Sequence, residues 1–150
     1  MTARALRRLD LPPVWAALAA FASWGLSVAF PAPALDLGPV PPLLLGGAGV
    51  ALVLWSALAF RRARTPIEPR HDARVLLTGG PFRINRNPIY TGLALILAGF
   101  ALHLGSLAAW LPVAAFPAVV TRRFVLDEEA RLRRAFGAEA EAWIARSRRW

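Results

Sequence analysis

Three long runs of apolar residues, separated by polar connections, dominate the pattern of the chain. They extend over residues 14–30, 40–60 and 89–121. The first two runs are close to the roughly 20 residues that a helix needs to cross a bilayer. They therefore predict two transmembrane helices.

The third run is too long for a single span. A helix over its 33 residues would be about 50 Å long, whereas the hydrocarbon core of a bilayer is about 30 Å thick. The run must fold back on itself, and Leu104-Gly105-Ser106 is the natural tip of such a hairpin. Pro112 and Pro117 lie in the second limb, which we expect them to kink. The sequence thus predicts four spans, of which the last two form a helical hairpin.

Residues 124–150 have the pattern of an amphipathic helix on the membrane surface. Apolar residues recur at helical spacing, namely Val125, Leu132, Phe136, Ala140 and Trp143. Gly137 is expected to mark a bend. The predicted fold is an all-α polytopic membrane protein with about four transmembrane helices and a C-terminal amphipathic helix. We expect one domain, with a two-helix part at 1–64 and a core at 65–150.

Three acidic residues open this last helix and differ in their predicted direction. Glu129 falls within the apolar stripe, Glu128 falls on its flank, and Asp127 points away. A carboxylate on a packed face is costly unless it meets a partner. Arg122, seven residues earlier, is one candidate partner for Glu129, and a bound cofactor is the other. Pairing of Asp127 with Arg131, and of Glu129 with Arg133, is the structural alternative.

Charge and composition set the orientation and exclude several chemistries. The chain has a net charge of +9, 57% hydrophobic residues and no cysteine. Arginines crowd residues 61–87 but are absent from 31–42, so the basic loop and both termini are predicted to be cytoplasmic in a multi-pass protein of the bacterial inner membrane. Without cysteine, and with His71 and His103 alone, a metal site or thiolate catalysis is not expected. His103 is interpreted as an interfacial residue at the far-side tip.

The first apolar run has two interpretations. Ala32-Pro33-Ala34 resembles the small-residue site at which a signal peptide is cleaved. The apolar core is long for a signal peptide, however, and prolines crowd the site. We therefore favour a retained first transmembrane helix.

The loop at residues 79–92 brings basic side chains to the start of a helix. Asn87 followed by Pro88 is the order of a helix cap and first turn, so a helix should begin at about Pro88. Arg83 and Arg86 then lie beside the positive end of that helix, where they would bind a carboxylate or phosphate. Alternatively, these arginines only orient the chain in the membrane. Upstream, residues 75–77 form an apolar patch that either lies against the membrane or folds back over a site.

Several motifs in the second half of the chain resemble those of a known family. They are Gly80-Pro81-Phe82-Arg83, Arg86-Asn87-Pro88-Ile89-Tyr90-Thr91-Gly92, Asp127-Glu128-Glu129 with Leu132 and Phe136-Gly137, and the ending Arg148-Arg149-Trp150. Together they are similar to the bacterial relatives of isoprenylcysteine carboxyl methyltransferases and phospholipid N-methyltransferases. The resemblance covers about residues 65–150, and Thr65-Pro66-Ile67 matches the family's usual lead-in.

The resemblance implies an S-adenosylmethionine-dependent methyltransferase with its site on the cytoplasmic side. The acceptor would be a lipidic or hydrophobic molecule with a carboxylate, amine or thiol, and neither a metal nor a nucleic acid is expected. The cofactor-binding residues it implies are Gly80, Pro81, Arg83, Asn87, Pro88, Tyr90, Glu128 and Glu129. The catalytic residues it implies are Arg86, Tyr90 and Glu129.

Individual roles follow from the same resemblance. Arg83 and Arg86 would hold the cofactor's carboxylate, and Glu128 or Glu129 its ammonium or ribose. Tyr90, the single tyrosine of the chain, would face the adenine or the sulfonium. The sequence departs from the family at four positions, Asn87, Asp127, Ala140 and Trp143, where many members have His, Arg and two tyrosines.

Two other classes of function fit the same sequence. One is a membrane reductase of the related sterol-reductase architecture, which would bind a nicotinamide cofactor. The other is a non-enzymatic four-helix membrane protein whose loops only orient it. Cofactor binding distinguishes the three hypotheses.

Overall fold

The computed structural model describes residues 10–31, 37–67 and 73–150. Its helices are α1 (Pro12–Ala29), α2 (Val40–Arg62), α3 (Pro88–Leu104), α4 (Trp110–Val120) and α5 (Leu126–Arg146). Short 3₁₀ turns occupy Gly80–Arg83 and Leu107–Ala109, and a π-helical turn occupies Thr121–Val125. No β-strand occurs in these three ranges, so the predicted all-α class is confirmed.

The apolar helices are those of a membrane protein. Within the described ranges, α1, α2 and the helical run from Leu107 to Arg146 are long and apolar enough to cross a membrane, and α3 is a shorter apolar helix. The predicted C-terminal amphipathic helix is α5, and α4 runs into it through the π-helical turn without a break. Residues 121–125 contain neither glycine nor proline, so nothing in the sequence ends the helix there.

α3 begins and ends where the sequence predicts, although its start is stabilised differently. Asn87 occupies the N-cap position before Pro88, but its side chain makes no capping hydrogen bond. Instead Asn85 Oδ1 accepts the backbone N–H of Asn87 at 2.9 Å. At the other end Gly105 adopts the left-handed conformation (φ 69°), which confirms the hairpin tip.

The two prolines of the second limb occupy different positions in α4. Pro112 lies in the first turn of α4, where proline is tolerated, so the expectation of a kink there is wrong. Pro117 lies inside the helix, four residues before the π-helical turn begins.

Glycines allow α2 and α3 to approach closely. A Cβ atom added to Gly49 would lie 2.5 Å from the carbonyl oxygen of Gly92, and one added to Gly99 would lie 2.8 Å from the backbone nitrogen of Gly46. Gly47 has open space around it. On the α2 side the close contact is therefore made by Gly49 itself and by the backbone of Gly46. A Cβ atom added to Gly46, like one added to Gly47, would meet nothing within 4 Å.

α1 is attached to the hairpin at both of its ends. At the hairpin end, the Ser23 hydroxyl donates to the carbonyl of Ala109 at 2.8 Å. At the other end, Asp10 accepts hydrogen bonds from Trp15 Nε1 at 3.0 Å and Arg123 Nε at 2.6 Å. These contacts hold the start of α1 beside the beginning of α5.

α5 bends at Gly137, as predicted. This glycine has φ 51° and ψ −125°, which is outside the helical region. Beyond the bend, Ala140 and Trp143 are buried. The bend therefore turns the last part of α5 and the residues after it back against the body of the protein. His103 is exposed near the hairpin tip, in agreement with an interfacial position, whereas His71 lies outside the described residues.

Candidate active site

A cavity of about 370 Å³ lies at the end of the bundle where α1 begins, α2 ends and α3 begins. Most of its wall is apolar, and residues 66–67, 73 and 75–77, between α2 and α3, form part of it. The wall includes Leu11, Pro12, Pro13, Val53, Phe60, Pro66, Ile67, Val75, Leu76, Leu77, Phe82, Ile89, Leu132 and Trp143. The apolar patch at 75–77 thus folds back over a site, which was one of its two expected positions.

Arg86 lies in this cavity, and its guanidinium group is largely bound by the protein itself. Its Nη1 donates to the carbonyl oxygens of Ile144 at 2.6 Å and Ser147 at 2.5 Å. Its Nη2 donates to Glu129 Oε1 at 3.2 Å. The buried Nε has no acceptor among the described residues. Arg86 therefore keeps one buried donor that a ligand would satisfy.

Glu129 is the most thoroughly bound carboxylate of the site. Besides Arg86, it accepts two hydrogen bonds from Arg149, at 2.9 Å from Nε and 2.8 Å from Nη2. The Glu129 side chain is 5% exposed and that of Arg149 is 38% exposed. Glu129 does face the packed interior, as its helical position predicted. The expected partner Arg122 is wrong, because the tail beyond α5 brings Arg149 to this carboxylate instead.

Glu128 and Tyr90 form the second polar pair of the cavity. The Tyr90 hydroxyl donates to Glu128 Oε1 at 2.5 Å. Asp127, on the same turn, is directed outward and pairs with Arg131 at 3.0 Å. The three acidic residues thus have the three directions that the sequence predicts. Arg133 pairs with Glu141 at 2.9 Å, so its alternative pairing with Glu129 is wrong.

The two adjacent glutamates experience opposite electrostatic environments. Both lie beyond residue 121, where the third apolar run ends. Burial raises the pKa of Glu128, and the hydrogen bond from Tyr90 opposes that effect only in part. Burial alone would also raise the pKa of Glu129, but the hydrogen bonds and charges of Arg149 and Arg86 lower it below its ordinary value. The surroundings therefore favour the anionic form of Glu129, whereas Glu128 is the carboxyl more easily protonated.

The residues after α5 are attached to the start of α3. The backbone N–H of Arg86 donates to the carbonyl of Arg148 at 2.8 Å. The Asn87 amide donates to the carbonyl of Arg149 at 3.0 Å. The side chain that was expected to cap α3 thus holds the tail in place, and this contact positions Arg149 over Glu129.

The structure brings together six of the nine residues that the resemblance implied. Those lining the cavity are Arg86, Asn87, Pro88, Tyr90, Glu128 and Glu129. Gly80, Pro81 and Arg83 do not line it. Gly80 takes a left-handed turn (φ 58°), Pro81 is buried, and Arg83 is exposed on a separate cleft.

The sequence analysis did not predict that Arg149 pairs with Glu129. It belongs to the basic ending that carried part of the resemblance, but twenty residues separate it from Glu129. No group of metal-binding side chains occurs in the part of the chain that the structure describes.

Comparison with known proteins identifies the family of the chain. The sequence model of one family, described as phospholipid methyltransferase, matches residues 40–139, which are 100 of the 150 residues. The match begins at the first residue of α2 and includes the loop, α3, α4 and both glutamates. It thus starts earlier than the resemblance recognised from residue 65. No curated protein and no solved structure matches the chain.

Proposed function

Because the chain belongs to the phospholipid methyltransferase family, we propose that its cavity binds S-adenosylmethionine and that a lipidic acceptor is methylated there. A membrane methyltransferase is what the family supports, and the cofactor and acceptor are our proposal. The observation that carries it is the meeting of two motifs in one cavity. Tyr90 contacts Glu128 across 38 residues of sequence, and Arg86 contacts Glu129 across 43.

The free donor on Arg86 fits the cofactor's carboxylate. The buried Nε of Arg86 lacks an acceptor among the described residues, and a carboxylate would complete a charge-assisted hydrogen bond there. Arg83 lies on a different surface, so we assign the carboxylate to Arg86 and not to the pair that the sequence suggested. Glu129 and the carbonyls of Ile144 and Ser147 hold Arg86 in position for this contact.

The two glutamates divide the remaining binding roles. Glu128 and Tyr90 are proposed to face the cofactor's ammonium, ribose or sulfonium, since a carboxylate and an aromatic ring both stabilise cationic groups. Glu129 is proposed to act through the guanidinium groups of Arg86 and Arg149, which it neutralises and orients. Asn87 holds the tail that carries Arg149.

When bound, the cofactor supplies an electrophilic methyl group on its sulfonium. The work left to the protein is positioning and exclusion of water, and the apolar wall of the cavity suits both. Val53, Phe60 and Ile89 are proposed to contact the hydrophobic part of the acceptor. Its reacting group is a carboxylate, an amine or a thiol. Glu128, with its raised pKa, is placed to take up a proton from an amine or a thiol.

Calorimetric titration of the purified protein in detergent with S-adenosylmethionine and, separately, with NADPH tests this proposal. We expect saturable binding of S-adenosylmethionine, weakened at least tenfold by Glu128→Gln, and no binding of NADPH. Asp127→Asn, in which an exposed neighbour loses the same charge, is the matched control. Binding of NADPH alone would support the reductase hypothesis, and binding of neither by a folded protein would support a non-enzymatic role.

A further inference from the structure

A second and more open cleft, of about 560 Å³, adjoins the cavity on the other side of Phe82 and Trp143. These two buried aromatic side chains line both spaces and form the wall between them. The cleft lies between the loop that precedes α3 and the end of α5. Its lining residues are Thr78, Phe82, Arg83, Ile84, Trp143, Arg146, Ser147 and Arg148.

The arginines of this region are divided between the two spaces. Arg86 and Arg149 form ion pairs with Glu129, which neutralises part of their charge. Arg83, Arg146 and Arg148 line the open cleft, and no acidic residue lines it with them. No ion pair joins these three arginines to any other residue in the described ranges. The cleft therefore presents three positive charges to its surroundings.

The position and the remaining surface of the cleft favour a lipid over a soluble anion. Arg83 precedes the first residue of the apolar helix α3 by five positions, which places the cleft at the level of the lipid head groups. Ile84, beside Arg83, is 55% exposed. An exposed apolar side chain beside exposed arginines is typical of a surface that contacts both acyl chains and phosphates. The hydroxyl group of Thr78 adds a donor of the kind that binds phosphate oxygens.

We propose that this cleft binds the phosphate of one anionic phospholipid of the surrounding leaflet, separately from the cofactor cavity. Guanidinium groups bind phosphate through paired hydrogen bonds, and three of them around one cleft give a site selective for anionic over zwitterionic lipids. The bound lipid would lie against the back of Phe82 and Trp143. This inference does not depend on the proposed methyl transfer, because lipid binding requires neither cofactor nor acceptor.

The test uses Arg146→Gln/Arg148→Gln in the full chain. Both side chains are exposed, and the hydrogen bond that Arg86 makes to Arg148 uses a backbone carbonyl that the substitution keeps. The matched control is Arg61→Gln/Arg62→Gln, which removes two exposed arginines at the end of α2, outside the cleft. Bound dioleoyl-phosphatidylglycerol and dioleoyl-phosphatidylcholine are counted by native mass spectrometry, and their affinities are measured by titration in detergent.

We expect one phosphatidylglycerol to remain bound to the parent protein in preference to phosphatidylcholine. The cleft variant should bind it roughly 30-fold more weakly, because each arginine near an anionic lipid surface contributes a factor of about 5. The control should change by less than about threefold. Arg146→Lys/Arg148→Lys keeps the charge but loses the paired hydrogen bonds, so it should recover part of the affinity. This variant also provides the test if the glutamine variant fails to fold.

Four results would overturn the assignment. Equal losses in the cleft variant and the control would mean that overall charge alone attracts the lipid. Equal binding of the two lipids would exclude an anion site. Displacement of the lipid by millimolar inorganic phosphate would indicate a site for small anions. Displacement by S-adenosylmethionine would mean that the cleft belongs to the cofactor.

Discussion

Arg149 and Glu129 form a two-point ion pair in which Nε lies 2.9 Å from Oε1 and Nη2 lies 2.8 Å from Oε2. The pair joins the last residues of the chain to the beginning of α5. Since Glu129 is buried and Arg149 is only partly exposed, the contact is protected from the solvent screening that weakens most surface ion pairs. Together with the backbone contacts of Arg148 and Arg149, it docks the tail on the start of α3.

Removal of this pair should destabilise the protein measurably. Arg149→Gln leaves the buried Glu129 with Arg86 as its remaining cationic partner, at a cost of about 1–3 kcal/mol in the free energy of unfolding. Arg149→Lys should cost less, because one charge is kept while the two-point geometry is lost. Urea unfolding in detergent, followed by tryptophan fluorescence, gives the comparison.

The control for Arg149 is Arg133→Gln. It breaks an ion pair with Glu141 in which both side chains are at least 40% exposed, and its cost should stay below about 1 kcal/mol. Equal costs for Arg149→Gln and Arg133→Gln would show that the Glu129 pair has no special importance.

The three acidic residues at the start of α5 should differ in function. Glu129→Gln removes the charge that holds two arginines, so methyl transfer should be abolished. Glu128→Gln should impair cofactor binding, since Glu128 shares the cavity with Tyr90. Asp127→Asn should be nearly silent, because Asp127 contacts Arg131 on the exposed face. Binding of S-adenosylmethionine and methyl transfer to a lipid extract are the measurements. Equal, mild effects at all three positions would contradict the site.

Arg86→Lys separates a specific contact from simple charge. The guanidinium group of Arg86 reaches two carbonyls and Glu129 at once, and a lysine ammonium cannot reproduce this arrangement. We expect the affinity for S-adenosylmethionine to fall at least tenfold and the orientation in the membrane to stay unchanged. A variant that binds the cofactor as well as the parent does would limit Arg86 to orienting the chain.

Gly49→Ala should destabilise the protein, whereas Gly47→Ala should not. The Cβ atom at Gly49 would lie 2.5 Å from a backbone oxygen of α3, so the two helices would have to separate, at a cost of about 1–3 kcal/mol. Gly47 has no atom within 4 Å of its added Cβ, and alanine there should be neutral or stabilise the helix by up to about 1 kcal/mol. Thermal unfolding in detergent measures the stability of both variants. Similar losses of stability for Gly49→Ala and Gly47→Ala would argue against this packing.

The alternation of basic and arginine-free connections predicts the membrane topology. Reporters fused after Leu37 and after Gly105 should report the far side of the membrane. Those fused after Arg70 and Arg148 should report the cytoplasm. Alkaline phosphatase and green fluorescent protein fusions provide complementary signals. A C-terminus on the far side would contradict the hairpin of α3 and α4.

The sequence alone determined the helical class, the start of α3, the hairpin tip and the bend in α5. These features depend on local physics, because apolar length, Pro88, Gly105 and Gly137 act on the backbone within a few residues. The directions of Asp127, Glu128 and Glu129 also followed from helical periodicity alone. These predicted directions are correct because α5 keeps helical backbone angles up to Gly137.

The pairing of Asp127 with Arg131 also followed from the sequence, but only the tertiary structure decided which charges meet in the buried site. Neither periodicity nor spacing relates Arg149 to Glu129, since the bend at Gly137 and the docking of the tail on Arg86 and Asn87 bring them together. The same docking divides the arginines, directing Arg86 inward and leaving Arg83 on the open cleft. The sequence also did not predict which glycine of α2 contacts α3, because Gly47 and Gly49 lie in the same run of small residues. The crossing of two helices determines that one faces a backbone and the other open space.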